Sequence, residues 1–217
     1  TLTATRAVWF YLEKDFFPVG LTLHYPRWKI ESSSAINYLP GLALLGIFAL
    51  FWRFRQSWGR ACLFGFGYYI AALGPTLGVL NMAFLSMGQV ADHFQYLALP
   101  GIIALLVGGT AHLFQRRPQK FPPTIAVIFS VSLLAPLASL SWQHQRLMAN
   151  PEALWQDNIK KNPDSWVAQN NYGGLLAAKG QFDAAIPFYR EALKKQTELP
   201  VVQVNLGRAL VSVGQSE

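Results

Sequence analysis

Long uncharged apolar runs alternate with short polar segments in the part of the chain that precedes residue 143. A helix needs about 20 residues to cross a bilayer, so these runs predict about four membrane-spanning helices. They lie at residues 36–52, 61–80, 96–114 and 124–142. Residues 143–217 instead mix apolar and charged positions as a water-soluble helical sequence does. The pattern predicts an all-α fold, with polytopic membrane helices at 36–142 and a soluble helical domain after them.

Residues 1–35 differ from the predicted spans because charged side chains interrupt them. Val8, Leu12 and Phe16 recur every four residues, and the charged residues occupy the other faces. Such a helix lies along the membrane surface rather than across it, and Pro18 ends it. The segment is predicted to form an amphipathic helix and a loop. The alternative is the trailing edge of a preceding span, since the chain does not begin with Met and we expect it to be a piece of a longer polypeptide.

The net charge of +7 comes mainly from two short loops that contain no acidic residue. These loops hold Arg53, Arg55, Arg60, Arg116, Arg117 and Lys120. Basic loops between apolar spans mark the cytoplasmic face. Residues 1–35, 81–95 and 143–217 are therefore predicted on the opposite face of a bacterial inner membrane or an endoplasmic-reticulum-like membrane. Confinement of the charge to these loops argues against nucleic acid as a partner, while phosphate binding by the same arginines is left open.

The polar stretch at residues 89–101 separates two of the apolar runs and holds Asp92, the only formally charged residue between the two basic loops. His93 and Tyr96 follow it closely. Because a lone charge in hydrocarbon is costly, the stretch is predicted to be the mouth of a membrane-embedded site on the non-cytoplasmic side. The alternative is that Asp92 caps the third span, where the helix dipole favours an anion, and that His93 lies in the headgroup region.

The part of the chain after residue 142 repeats with a period of 34 residues. Asn171 and Asn205 lie one period apart, as do Gly180 and Gly214. This is the tetratricopeptide spacing, and at least three such repeats are usually needed for an independent core. The period predicts a tetratricopeptide-repeat helical solenoid that continues further or rests on the membrane part. The two asparagines are candidate contacts for a protein partner.

Helix packing explains the residue types inside each repeat. Gly173 and Ala185 are small where two helices are expected to cross, and Gly180 allows a tight turn between those helices. Phe182 and Tyr189 are expected to fill the gap to the next helix. A plain helical hairpin would not explain why the same residue types recur 34 positions apart at so many places.

Three segments occur in a characteristic order: YLEKDFFPVGLTLHY at Tyr11 to Tyr25, VADHFQYLALPG at Val90 to Gly101, and LWQDNIKKNPDSWVAQNNYG leading into the repeats. In this order they resemble the C-terminal half of the transmembrane and tetratricopeptide-repeat protein O-mannosyltransferase-like family. That family belongs to the C-type glycosyltransferases, which use polyprenyl-phosphate sugars. The resemblance implies sugar transfer to a protein hydroxyl and, in the full-length protein, a possible divalent metal.

The resemblance also implies roles for particular residues. His93 and Tyr96 would bind a lipid-linked phosphate, and Asp92 would orient His93 or hold a metal together with an upstream acid. The family has an Arg where this chain has His93, and often an Asp where it has His24. Its catalytic acid lies upstream of Thr1, so no catalytic residue is assigned in this chain.

Two functions from different classes follow. The chain is interpreted as the membrane and repeat part of a protein O-glycosyltransferase-like protein whose repeats recruit a protein partner. The alternative is a non-catalytic, membrane-anchored tetratricopeptide scaffold or accessory subunit of a larger membrane complex. Membrane lipid and other membrane subunits are expected partners in either case. The sequence contains no phosphate-binding Walker loop, nucleophile elbow, zinc-protease motif or paired-cysteine metal site.

Overall fold

The computed structural model describes residues 2–78, 88–116 and 122–214, and the regular structure in these ranges is entirely helical. The α-helices are α1 (Leu2–Phe16), α2 (Leu39–Arg53), α3 (Gly59–Leu73), α4 (Leu99–Arg116), α5 (Pro123–Met148), α6 (Pro151–Lys161), α7 (Trp166–Ala178), α8 (Phe182–Lys195) and α9 (Pro200–Ser212). Short 3-10 helices occur at Ala35–Tyr38, Gly74–Leu77 and Asp92–Gln95. The predicted all-α class is confirmed for the described part of the chain.

The chain divides into two compact units. The first unit comprises residues 1–21 and 28–141, and the second comprises residues 22–27 and 142–217. Residues 22–27, which the sequence placed in the N-terminal segment, therefore pack with the C-terminal helices.

Two helices among the described residues are long and apolar enough to cross a membrane, rather than the predicted four. These are Ala35–Arg53, which joins a 3-10 turn to α2, and Thr124–Met148, which is most of α5. The prediction of full-length spans at 61–80 and 96–114 is wrong.

The physical reason at 61–80 is an early helix stop. α3 ends at Leu73, and Gly74 and Pro75 continue the chain as a 3-10 helix up to Gly78, whose φ is +80°. The 15 residues of α3 reach about 22 Å at 1.5 Å per residue, which is less than the roughly 30 Å of a hydrocarbon core. Residues 79–87, which include the end of this predicted span, lie outside the described ranges.

The predicted span at 96–114 is shortened at its N-terminal end. The backbone N–H groups of Tyr96 and Ala98 donate to carbonyls three residues earlier, so these residues form a tight turn ahead of α4. The apolar helix that remains is Leu99–Phe114. Pro100 suits the first turn of this helix, where a missing N–H costs nothing.

Two glycines allow α3 and α4 to approach closely. A Cβ at Gly101 of α4 would lie 2.5 Å from the Gly65 carbonyl oxygen of α3, and a Cβ at Gly65 would lie 2.5 Å from Leu105 Cγ. Small residues at such a crossing are typical of membrane helix pairs. The turn that precedes α4 is thereby held against the last turns of α3, where the Tyr68 hydroxyl donates to the Leu97 carbonyl at 3.0 Å.

The predicted N-terminal helix is present as α1, but its buried face differs from the predicted one. Ala7, Val8 and Tyr11 are buried, whereas Phe16 is 47% exposed. The buried stripe therefore continues from Tyr11 to Asp15, one helical turn later, and not along Val8, Leu12 and Phe16. This correction places an acidic side chain on the packed face of α1.

In the second unit, α6 to α9 pack in succession around an apolar core. Side-chain caps define two of the helix starts: Asn150 Oδ1 accepts from the backbone N–H groups of Glu152 and Ala153, and Ser165 Oγ accepts from that of Ala168. The buried core residues are Tyr172, Leu176, Ala185, Ile186, Tyr189, Ala192, Leu199, Val202, Ala209 and Leu210.

The crossing of α7 and α8 has the expected geometry. A Cβ at Gly173 would lie 2.9 Å from the Tyr189 ring, so this crossing requires glycine. Ala185 is fully buried, and Gly180 turns the chain with φ at +75°. The predicted roles of these residues in helix packing are confirmed.

The extended segment 22–27 is attached to α6 through two asparagines one turn apart. With its amide oriented to satisfy both groups, the buried Asn158 accepts from the Thr22 hydroxyl at 2.6 Å and from the His24 backbone N–H at 3.0 Å. Asn162 Nδ2 donates to the His24 carbonyl at 3.0 Å, and the His24 ring stacks on Trp155 with centroids 6.4 Å apart. His24 is therefore a packing residue, and its burial lowers the pKa of the imidazole.

Candidate functional site

The predicted site residues lie on the 3-10 turn Asp92–Gln95 and immediately after it. Asp92 is half-buried, while His93 and Tyr96 are exposed, Tyr96 by 67%. The His93 ring lies edge-on against Phe94, with centroids 4.4 Å apart. The structure thus presents two of the three predicted side chains outward from a single turn.

This turn is fastened to α1 and to the chain that precedes α2. The Ala91 backbone N–H donates to the Tyr11 hydroxyl at 3.2 Å. Gln89 Oε1 accepts from the Trp28 backbone N–H at 2.7 Å, and its amide nitrogen donates back to the Trp28 carbonyl at 3.4 Å. Because these partners are distant in sequence, the turn is held in place by tertiary bonds as well as by its own backbone.

Asp15 is the functional candidate that sequence analysis missed. Both of its carboxylate oxygens are inaccessible to solvent, and the buried Tyr69 hydroxyl lies close to the carboxylate. The neighbouring Lys14 does not pair with it, since Lys14 Nζ lies 3.3 Å from a Glu13 carboxylate oxygen and donates to the Val19 carbonyl at 2.9 Å. The signal that would have found Asp15 is its spacing of four residues from the aromatic Tyr11 on the same helix.

Burial dominates the electrostatics of this site. It raises the pKa of Asp15 to about 6, and the proximity of the Tyr69 hydroxyl opposes the rise. Burial also raises the pKa of Tyr11 to about 12, a shift that the Asp92 charge increases and the bond to Ala91 reduces. Tyr11, Asp15 and Tyr69 lie near one another in the first unit and Asp92 lies near Tyr11. We call these four side chains the carboxylate cluster.

Several buried polar atoms in this region have no protein partner within the described ranges. They include the Tyr69 hydroxyl, whose side chain is fully buried, and Gln95 Oε1 on the turn that carries Asp92. Unpartnered buried polar groups are costly and are often found at functional sites. Burial therefore favours the neutral form of the Asp15 carboxyl group relative to an exposed aspartate.

The described residues contain no complete ligand set for a metal ion. No three His, Cys, Asp or Glu side chains gather into a possible ligand set in those ranges. The two carboxylates of the cluster are the acidic oxygens that the first unit offers near the turn. We therefore derive no step through a metal.

The two asparagines predicted to contact a partner lie on α7 and α9. Asn205 Nδ2 donates to Asn170 Oδ1 at 3.0 Å, which joins these two helices across α8. Asn171 is half-buried. Asn205 is likewise half-buried and forms a hydrogen bond within the second unit.

Comparisons with protein-family models, with curated protein sequences and with solved structures found no match for this chain.

Proposed function

We propose that this chain is the membrane and repeat part of a protein O-glycosyltransferase-like protein that uses a polyprenyl-phosphate sugar. The observation that supports the proposal most is the anchored turn at Asp92–Gln95, which extends His93 and Tyr96 beside the apolar helices. A lipid-linked phosphate has its charged group at this kind of boundary. The imidazole and the phenol hydroxyl are both able to donate hydrogen bonds to phosphate oxygens.

The proposed chemistry is displacement at the anomeric carbon of the sugar. An acceptor hydroxyl oxygen forms the new bond to this carbon, and the bond from the carbon to the phosphate oxygen breaks, so that polyprenyl phosphate leaves with the electron pair. A carboxylate upstream of this chain takes the hydroxyl proton. Within this chain, His93 and Tyr96 hold the leaving phosphate, and the carboxylate cluster fixes the turn that carries them.

In the proposal, the second unit is a tetratricopeptide-like array that recruits the acceptor protein. Gly180 and Gly214 support this assignment, since they lie one 34-residue period apart and both have φ at +75°. A tetratricopeptide-like array is expected to have a tight turn of the same conformation once in every repeat. The half-buried asparagines Asn171 and Asn205 are the proposed contact positions.

The proposed location is a bacterial inner membrane or an endoplasmic-reticulum-like membrane, with α1 and the second unit on the non-cytoplasmic side. The arginine-rich loop that follows α2 supports this orientation. In a background with Cys62→Ser, a membrane-impermeant maleimide should label Ser33→Cys and Thr197→Cys in sealed cells and label Ser57→Cys only after permeabilisation. Labelling of Ser33→Cys and Thr197→Cys from opposite sides would refute this arrangement.

Binding of a lipid-linked sugar tests the proposed function. The purified chain in nanodiscs is titrated with undecaprenyl-phosphate mannose, and with undecaprenol as the phosphate-free control. Tyr96→Ala should weaken binding about tenfold through the loss of one hydrogen bond to the phosphate. Leu97→Ala is the matched control, because Tyr96 and Leu97 are both 67% exposed, and it should bind as the original chain does.

The second candidate is a non-catalytic membrane-anchored scaffold or accessory subunit of a larger membrane complex. The observation that favours it is the apolar surface of α9, where Val201, Val204 and Val211 are at least 53% exposed. Such a surface suits packing against another protein. Absence of any binding of the lipid-linked sugar, or equal weakening by Tyr96→Ala and Leu97→Ala, would overturn the transferase proposal and leave this candidate.

A further inference from the structure

A pocket of about 520 Å³ lies at the C-terminal end of α2. It is lined by Phe48, Ala49, Trp52, Arg53, Arg55 and Leu63. One wall is therefore apolar and aromatic, and the rim carries two guanidinium groups. This combination fits a ligand that has an apolar body and an anionic end.

Aromatic contacts hold the two arginines at the rim. The Arg55 guanidinium lies 4.9 Å from the centroid of the Trp52 ring, and its Nη1 donates to the Trp52 carbonyl at 3.0 Å. The Arg53 guanidinium lies 5.6 Å from the centroid of the Phe54 ring. Stacked guanidinium groups keep several N–H donors free to bind phosphate oxygens.

The loop that carries these arginines is tightly built. A Cβ at Gly59 would overlap the Phe51 carbonyl oxygen, so the chain turns from α2 into α3 at close range. The Phe54 ring stacks on Trp58, with centroids 5.2 Å apart. These contacts fix the backbone of the loop that carries Arg53 and Arg55 beside an open pocket.

No acidic residue balances the charge of this loop. The sequence contains no Asp or Glu between Glu31 and Asp92. Arg53 and Arg55 form no ion pair with a carboxylate in the described ranges. The site therefore has uncompensated positive charge, which an anion would neutralise.

The position of the pocket decides which anion suits it. Arg53 is the last residue of the membrane-length helix Ala35–Arg53, and the apolar wall lies within the last turns of that helix and on α3. Arginines at such a helix end lie at the depth of lipid headgroups. We propose that the pocket binds an anionic phospholipid, with its phosphate on Arg53 and Arg55 and an acyl chain along Phe48, Ala49 and Leu63.

Native mass spectrometry of the whole chain in a neutral detergent tests this proposal. The probes are dioleoyl phosphatidylglycerol, dioleoyl phosphatidylcholine with the same chains, and inorganic phosphate. One phosphatidylglycerol should be retained in preference to phosphatidylcholine, and inorganic phosphate should not displace it. In the double variant Arg53→Gln/Arg55→Gln, the affinity for phosphatidylglycerol should fall by about tenfold or more.

The matched control is Lys160→Gln/Arg208→Gln, which removes two exposed positive charges from the second unit and should retain full binding. Equal binding of both lipids, displacement by inorganic phosphate, or an equal loss in the control variant would each overturn the proposal. If the Arg53→Gln/Arg55→Gln variant fails to fold, a salt titration of the unmodified chain still tests the proposal. Its preference for phosphatidylglycerol should then weaken as sodium chloride is raised, and a salt-independent preference would contradict the proposal.

Discussion

The two units of the molecule place polar and apolar side chains in opposite ways. The second unit buries residues such as Leu176 and Val202 and keeps its ion pairs outside, as between Lys161 and Asp157 at 2.7 Å. The first unit exposes much of the apolar surface of α2 and α5, yet encloses the carboxylate oxygens of Asp15 and the hydroxyl of Tyr69. The difference agrees with the presence of two described helices long and apolar enough to cross a membrane, because an apolar exterior is stable in lipid.

The largest effect is expected where the second unit depends on ordinary core packing. Tyr189 is 2% exposed and its ring packs against Gly173. Tyr189→Ala should lower the free energy of unfolding of this unit by about 4 kcal/mol because it leaves a large cavity. Thermal unfolding in detergent, followed by far-ultraviolet circular dichroism, measures the change.

Val211→Ala is the control for that truncation. Val211 is 69% exposed on α9, so its shortening should change stability by about 0.5 kcal/mol or less. Similar losses for Tyr189→Ala and Val211→Ala would contradict an interior organised as in a water-soluble protein.

A somewhat smaller effect of opposite sign is expected at the buried carboxylate of the first unit. The pKa of Asp15 rises from 3.8 to about 6 on folding, so the folded state holds the proton more tightly than the unfolded state. Stability should therefore be highest in acid and fall as the pH rises from 4 to 6. Above that range the ionised carboxylate costs at most about 3 kcal/mol, and less where solvent screens this partly buried group, and Asp15→Asn should recover this cost.

Melting temperatures of the original chain and of Asp15→Asn, measured between pH 4 and pH 8, check the sign and the window. The gain from Asp15→Asn should vanish near pH 4, where both chains carry a neutral side chain. Asp183→Asn is the control, since Asp183 is an exposed acid at the start of α8. A constant gain from Asp15→Asn at every pH would show that ionisation is not its cause.

The smallest effect is expected at the crossing of α3 and α4. Gly101→Ala places a methyl group against the Gly65 carbonyl oxygen and should cost about 2 kcal/mol through overpacking. Gly108→Ala in the same helix has no atom within 4 Å of the new methyl group and should be neutral or slightly stabilising. Comparison of the two melting temperatures separates close helix packing from helix propensity.

The sequence predicted the helical class and the interior of the second unit because amphipathic periodicity and glycine turns are local signals. Gly173 and Gly180 illustrate this, since each has the role that its spacing indicates. The length of α3 was predicted less well, because apolar content alone does not report that Gly74 and Pro75 end a helix early.

The candidate site was only partly predictable. The sequence reveals the turn at Asp92 because an isolated charge lies between apolar runs. Asp15, by contrast, is the last of three consecutive charged residues, a pattern typical of a solvent-exposed surface. Only the packing of α1 decides that Asp15 faces Tyr69 while Glu13 faces water. The attachment of residues 22–27 to α6 was not predictable, because the partners are separated by 136 positions.

That attachment has a consequence for how many times the chain passes through a bilayer. Thr22 precedes the first membrane-length helix and Asn158 follows the last described one, yet the two side chains share a buried hydrogen bond. An extended segment and a helix that are bonded to each other lie on the same side of any bilayer that the chain crosses, so the number of crossings between them must be even. One buried hydrogen bond therefore constrains the membrane topology without reference to the distribution of charge.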